Sequence, residues 1–135
     1  MMPSFIAGKL ALAKRQLQSA RNNAAQNDIE TAANRAFLAA ENAAAVAIAK
    51  SGRHARPIHD QIRTDFEELC DRGVIPETFR NLLAESYRFR LRADYGRRMH
   101  SGQTIPDLTS DAVQNMIERV GHLIDMVARM PRHRP

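Results

Sequence analysis

The run Tyr87-Arg88-Phe89-Arg90-Leu91-Arg92-Ala93-Asp94-Tyr95-Gly96 is the densest group of chemically capable side chains in the sequence. Arg88 and Arg92 are four positions apart, so one face of a helix carries both. A planar guanidinium matches phosphate or carboxylate with two parallel hydrogen bonds. Asn81 and Glu85 extend that face backwards by a turn each. Asp94 and Tyr95 fall at the helix end, from which side chains reach into a cleft. A purely structural reading competes. Cations near a helix C-terminus interact favourably with the dipole, and Glu85 is placed to pair with Arg88.

A second polar constellation lies upstream. Asn34 and Glu41 are seven residues apart, two helical turns, and share one side. Arg35 and Asn42 form the neighbouring row. Polar groups on so apolar a segment need partners when buried. Arg88 or Arg92 of the later helix are the expected partners. Such a pairing either fixes helix register as a buried ion pair or lines a polar cleft for a nucleotide or an RNA phosphate. The candidate binding set is therefore Asn34, Arg35, Glu41, Arg88, Arg92, Asp94 and Tyr95.

Other chemistries lack their signatures. His54 and His59 are five apart, a spacing no helical metal pair uses, and no HExxH pattern occurs. No metal and no cofactor are expected. No phosphate-binding glycine loop, dinucleotide fingerprint or Ser-His-Asp set is present. His122, near Asp125, reads as an ordinary surface or pairing histidine. The single cysteine, Cys70, excludes a disulfide within the chain and suits a reducing cytoplasm. It falls in the apolar row Ile62, Phe66, Leu69, which makes it a small core residue.

Five helical segments must position these groups. The first is expected from about Pro3 to Asn22 with Ser4 as its cap, followed by a polar turn over 21–27. Asn27 with Glu30 resembles a capping box opening the second helix. That helix carries Ala32, Ala36, Phe37, Ala40, Ala43, Ala44, Ala47 and Ile48 on one broad face. Leu38, Ala45, Val46 and Ala49 lie opposite, which places it at the centre of a bundle. Ser51-Gly52 ends it. A third helix opens at Pro57, continues through Ile58, Ile62, Phe66 and Leu69, and stops at Gly73. A fourth begins near Pro76 and Glu77 and ends near Tyr95-Gly96. After a polar loop over 96–109, a fifth runs from about Ser110 to Met130, striped by Val113, Ile117, Val120, Ile124 and Val127. No segment alternates as a strand does. The reading is all-α: one domain over residues 1–130, an antiparallel helix bundle, with 131–135 as a tail.

Composition bounds the rest. Net charge is +5, carried mostly by Arg, since Lys9, Lys14 and Lys50 are the only lysines. A basic balance permits nucleic-acid binding without establishing it. Trp is absent and aromatics are 5% of residues. An alanine-rich core buries little area per side chain, so part of its burial is expected from a partner surface. The least polar stretch, 29–49, is broken by Glu30, Asn34, Arg35, Glu41 and Asn42. It reads as a buried helix with no membrane span.

Three segments together resemble the HEPN family. They are Asn34-Arg35-Ala36-Phe37-Leu38-Ala39-Ala40, the stretch from His59 to Phe66, and the Arg92-Ala93-Asp94-Tyr95 ending of helix four. Their order and spacing fit across about 24–130. The resemblance implies an up-and-down bundle of four or five helices, a homodimer, and a cytoplasmic partner in a toxin–antitoxin or defence pair, a minimal nucleotidyltransferase acting as antitoxin. Many members are metal-independent ribonucleases using an Arg and a His separated by about four to six residues. Here Arg92 and His100 have seven residues between them. The catalytic set implied is Arg92 as the cation on the scissile phosphate, with His100 or Tyr95 as the group that receives a proton. A phenol with an ordinary pKa of about 10 is the poorer base of the two.

Overall fold

A computed structural model describes residues 2–53, 59–95 and 108–132, with side chains over 4–53, 60–93 and 108–132. Five α-helices follow one another: α1 (Met2–Ala25), α2 (Ile29–Lys50), α3 (His59–Asp71), α4 (Leu82–Tyr95) and α5 (Ser110–Arg129). A single 3₁₀ turn, Glu77–Phe79, precedes α4, and the described residues contain no strand. The fold is the expected all-helical bundle.

Alanine explains the packing. Ala32, Ala33, Ala36, Ala39, Ala40, Ala43, Ala44 and Ala47 of α2 are all at most 1% exposed. Short side chains let α1 lie close along α2, where Ala13, Leu17 and Ala20 are buried against it. From Ala43 to Lys50 every residue of α2 is buried. Around this central helix, α1 packs on α2, α2 on α4, α4 on α5, and α5 returns to α1. Helix α2 also packs across the bundle on α5, through Val120, Leu123, Ile124 and Val127 on the apolar stripe of α5. The short α3 lies along the second half of α2 and buries Ile62, Phe66 and Leu69.

Helix ends follow local chemistry, and four differ from the sequence expectation. Helix α1 starts at Met2, so Ser4 lies inside its first turn and does not cap it. Helix α1 runs a turn further, to Ala25, because its polar residues pair along the helix surface: Gln18 donates to Asn22 and Asn23 to Ser19. Asn27 then ends α1 instead of capping α2. Its φ is +61°, and the Asn27 and Asp28 amides return to the Ala24 and Asn23 carbonyls. That is the left-handed C-terminal arrangement that Asn tolerates. The cap of α2 is Asp28, whose carboxylate accepts from the Thr31 amide. Pro76 and Glu77 open the 3₁₀ turn, and α4 itself starts at Leu82. Gly52 and Gly73 close α2 and α3 with φ of +90° and +75°, as expected. The expected start of α3 at Pro57 lies outside the described residues.

Lys50 joins two helix ends. Its buried ammonium donates to the carbonyls of Val127, Ala128 and Met130 at 2.8, 3.0 and 3.0 Å. Carbonyls at a helix C-terminus are short of backbone partners, although Val127 also accepts from the Met130 amide, and the charge complements the dipole of α5. Burial, and then the nearby Arg132, hold this ammonium below the ordinary lysine range.

Two consequences are measurable. Ala40→Leu places three extra carbons where α2 has no space. It is expected to destabilise the fold by about 1–3 kcal/mol in urea unfolding. Lys50→Ala leaves carbonyls of α5 unpaired and is expected to cost roughly 1–3 kcal/mol in the same measurement.

Candidate functional site

Of the polar residues singled out on α2, Asn34, Arg35 and Glu41 lie along one groove between α2 and α4. At its α2 N-terminal end, Glu30, Thr31, Asn34 and Arg35 border an open hollow of about 270 Å³, with Ala93 of α4 on the far side. Arg35 is exposed and Asn34 half-buried. One turn further along α2, Phe37 closes the groove. The Tyr87 ring lies 5.5 Å from it, centroid to centroid, and the Arg90 guanidinium stacks 5.2 Å from its centre. Beyond Phe37, Glu41 joins Asp60, Ile62, Arg63, Leu83 and Tyr87 around a void of about 20 Å³. That is room for about one water, so this end is packed, and only the Asn34–Arg35 end admits a ligand.

The groove therefore brings together Asn34, Arg35 and the end of α4. It does so through a row of α4 different from the one expected. Leu83, Tyr87 and Arg90, spaced four and three, face α2, while Arg88 is exposed and Arg92 half-buried. The expected Glu85–Arg88 pair does not form. Glu85 instead accepts from Arg119 of α5, so the α4 carboxylate ties α4 to α5. Nor does Asn42 face α4. Its amide donates to Gln16 at 2.7 Å, and its carbonyl accepts from Lys9 at 3.3 Å, both on α1. The structure places Asp94 and Tyr95 in the last turn of α4, with their side chains outside the described atoms, and His100 lies outside the described residues altogether.

Thr31 and Arg63 belong to the groove and did not stand out in the sequence, while Tyr87 and Arg90 lay in the run singled out there but outside the candidate binding set. The spacing of Leu83, Tyr87 and Arg90 carried the signal. It competed with the equally regular Arg88–Arg92 row, and periodicity alone does not say which row meets α2.

Several other charged residues act in the scaffold. Arg53 pairs with Glu68 at 2.7 Å and Asp65 at 3.7 Å, and its pKa is raised, first by the Glu68 hydrogen bond. Arg80 binds Glu77 and Asp71 across the 3₁₀ turn. Cys70 is buried, and burial pushes its thiol up, away from the reactive thiolate. Among the described residues no group of three or more His, Cys, Asp or Glu is arranged to hold a metal, and no helix is long and apolar enough to cross a membrane.

Arg90 supplies a test of the groove's construction. Arg90→Ala removes the guanidinium from Phe37 and is expected to cost roughly 0.5–2 kcal/mol of stability, read by urea unfolding. Arg90→Lys retains charge without the planar stack and is expected to recover only part of that loss.

The model of the HEPN domain family matches residues 10–130. No curated protein matches the sequence.

Proposed function

Because the chain belongs to the HEPN domain family, we propose that it binds RNA or a nucleotide through phosphate contacts in the α2–α4 groove. In this reading it acts as a homodimer, within a toxin–antitoxin or defence pair whose other member is a minimal nucleotidyltransferase. The observation that carries the binding reading is the open Asn34–Arg35 hollow beside Ala93. An exposed guanidinium stands there next to a neutral amide, at the end of an α4 helix that also carries Arg88 and Arg92.

The division of labour follows from group chemistry. Arg35 contacts phosphate oxygens inside the hollow, Arg88 and Arg92 contact those of the strand where it passes over the outer side of α4, and Asn34 offers the donor and acceptor pattern that meets a base edge. Asp94 and Tyr95, in the last turn of α4, belong to the same proposed site. Glu41 sits on the packed side of Phe37 and acts as a support for the groove.

Binding of a short single-stranded RNA by fluorescence anisotropy across a salt series tests this reading. Affinity is expected to fall steeply with salt, since each released phosphate counterion contributes to the slope. Arg35→Gln is expected to weaken binding about three- to tenfold and flatten the salt slope by roughly 0.7, the value of one single-strand phosphate contact. Unchanged affinity in Arg35→Gln and in Arg92→Ala would sink the proposal. The same RNA, analysed for cleavage, separates binding from a ribonuclease activity of Arg92 with His100 or Tyr95. Such an activity requires cleavage by the unaltered protein that Arg92→Ala abolishes without moving the thermal melt.

A further inference from the structure

The opposite side of the bundle holds a second hollow, between α1 and α5, of about 480 Å³. The order of packing around α2 separates it from the α2–α4 groove by the thickness of the bundle. Its floor is Leu17, Gly121 and Ile124, and its two walls have opposite charge. Lys14, Gln18 and Arg21 line the α1 wall at a spacing of four and three. Glu118, His122 and Asp125 line the α5 wall at the same spacing. Helix α1 contains no acidic residue at all.

Gly121 shows that the hollow is shaped at Arg21. It is buried in the middle of α5, where glycine is destabilising relative to alanine. A Cβ there would meet the Arg21 Nη2 at 3.3 Å and the Leu17 Cδ2 at 3.5 Å. Glycine thus leaves room for the guanidinium to rest against the backbone of α5. Among the described residues, Lys14, Arg21, Glu118 and Asp125 form no side-chain ion pair or hydrogen bond. Cations and carboxylates line one hollow without pairing.

We propose that this hollow binds a small zwitterion. Its anionic group, a carboxylate or phosphate, sits against Arg21 and Lys14, and its ammonium group against Glu118 and Asp125. A purely anionic ligand meets the repulsion of the acidic wall, and a purely cationic ligand that of the basic wall. A ligand carrying both groups neutralises both walls at once. The volume falls in the range of small-molecule sites.

The test uses the whole chain and three probes of matched length: aminohexanoate, hexanoate and hexylamine, followed by amide chemical shifts. Aminohexanoate is expected to give saturable shifts centred on Leu17 and Gly121 and to bind about fivefold or more tightly than either singly charged probe. Arg21→Gln and Asp125→Asn, both exposed positions, are each expected to weaken it about threefold to fivefold with an unchanged thermal melt. Absence of saturable shifts, equal binding of hexanoate or hexylamine, or indifference to both substitutions overturns the proposal.

Discussion

Everything in this molecule is arranged around one helix with almost no side-chain bulk. Helix α2 is in contact with every other described α-helix, and eight of its alanines are at most 1% exposed. Each alanine buries little apolar area, so close approach does what side-chain volume does in other cores. The cost is intolerance. A surface of alanines at van der Waals contact has no slack, and polar groups on α2 must fall where another helix leaves space. That requirement places Asn34 and Arg35 at the open N-terminal end of the α4-facing side and sends Asn42 to α1.

The same crowding assigns the charges. Lys50 is fully surrounded at the end of α2, and it is tolerated because α5 ends beside it with three carbonyls in reach. Glu85 faces α5 and takes Arg119, which frees Arg88 for solvent. Arg53 and Arg80 secure the ends of α3 and the 3₁₀ turn. Arginine is the most abundant charged residue here, and much of it serves structure. The exposed Arg35, Arg88 and Arg21 stand out against that background. Membership of the HEPN family accounts for the bundle and leaves the two hollows to be explained by their own residues.

Much of this was legible in the residues themselves. The five helices, the central place of α2, the stops at Gly52 and Gly73 and the burial of Cys70 all follow from period and turn chemistry, which are local properties. The segments around Asn34-Arg35-Ala36 and Arg92-Ala93-Asp94-Tyr95 were sufficient to suggest the family that residues 10–130 match. The helix boundaries were less secure where two residues compete for one role. Asn27 and Asp28 are both good caps, and only the backbone decides that Asn27 turns left-handed to end α1 while Asp28 starts α2.

By itself, then, the sequence determined which segments are helical, which helix is apolar all round, and which side chains are equipped to hold a phosphate. The tertiary structure alone decided which row of α4 meets α2. Leu83-Tyr87-Arg90 and Arg88-Arg92 are both regular at helical spacing, and rotation of α4 about its axis by less than half a turn exchanges them. Packing chose the first, because Leu82, Leu83, Ser86 and Phe89 must all be buried together, and their side of the helix carries Tyr87 and Arg90 to Phe37. The two opposed charged rows of α1 and α5 likewise come from residues about a hundred positions apart. No local pattern relates them until the bundle closes.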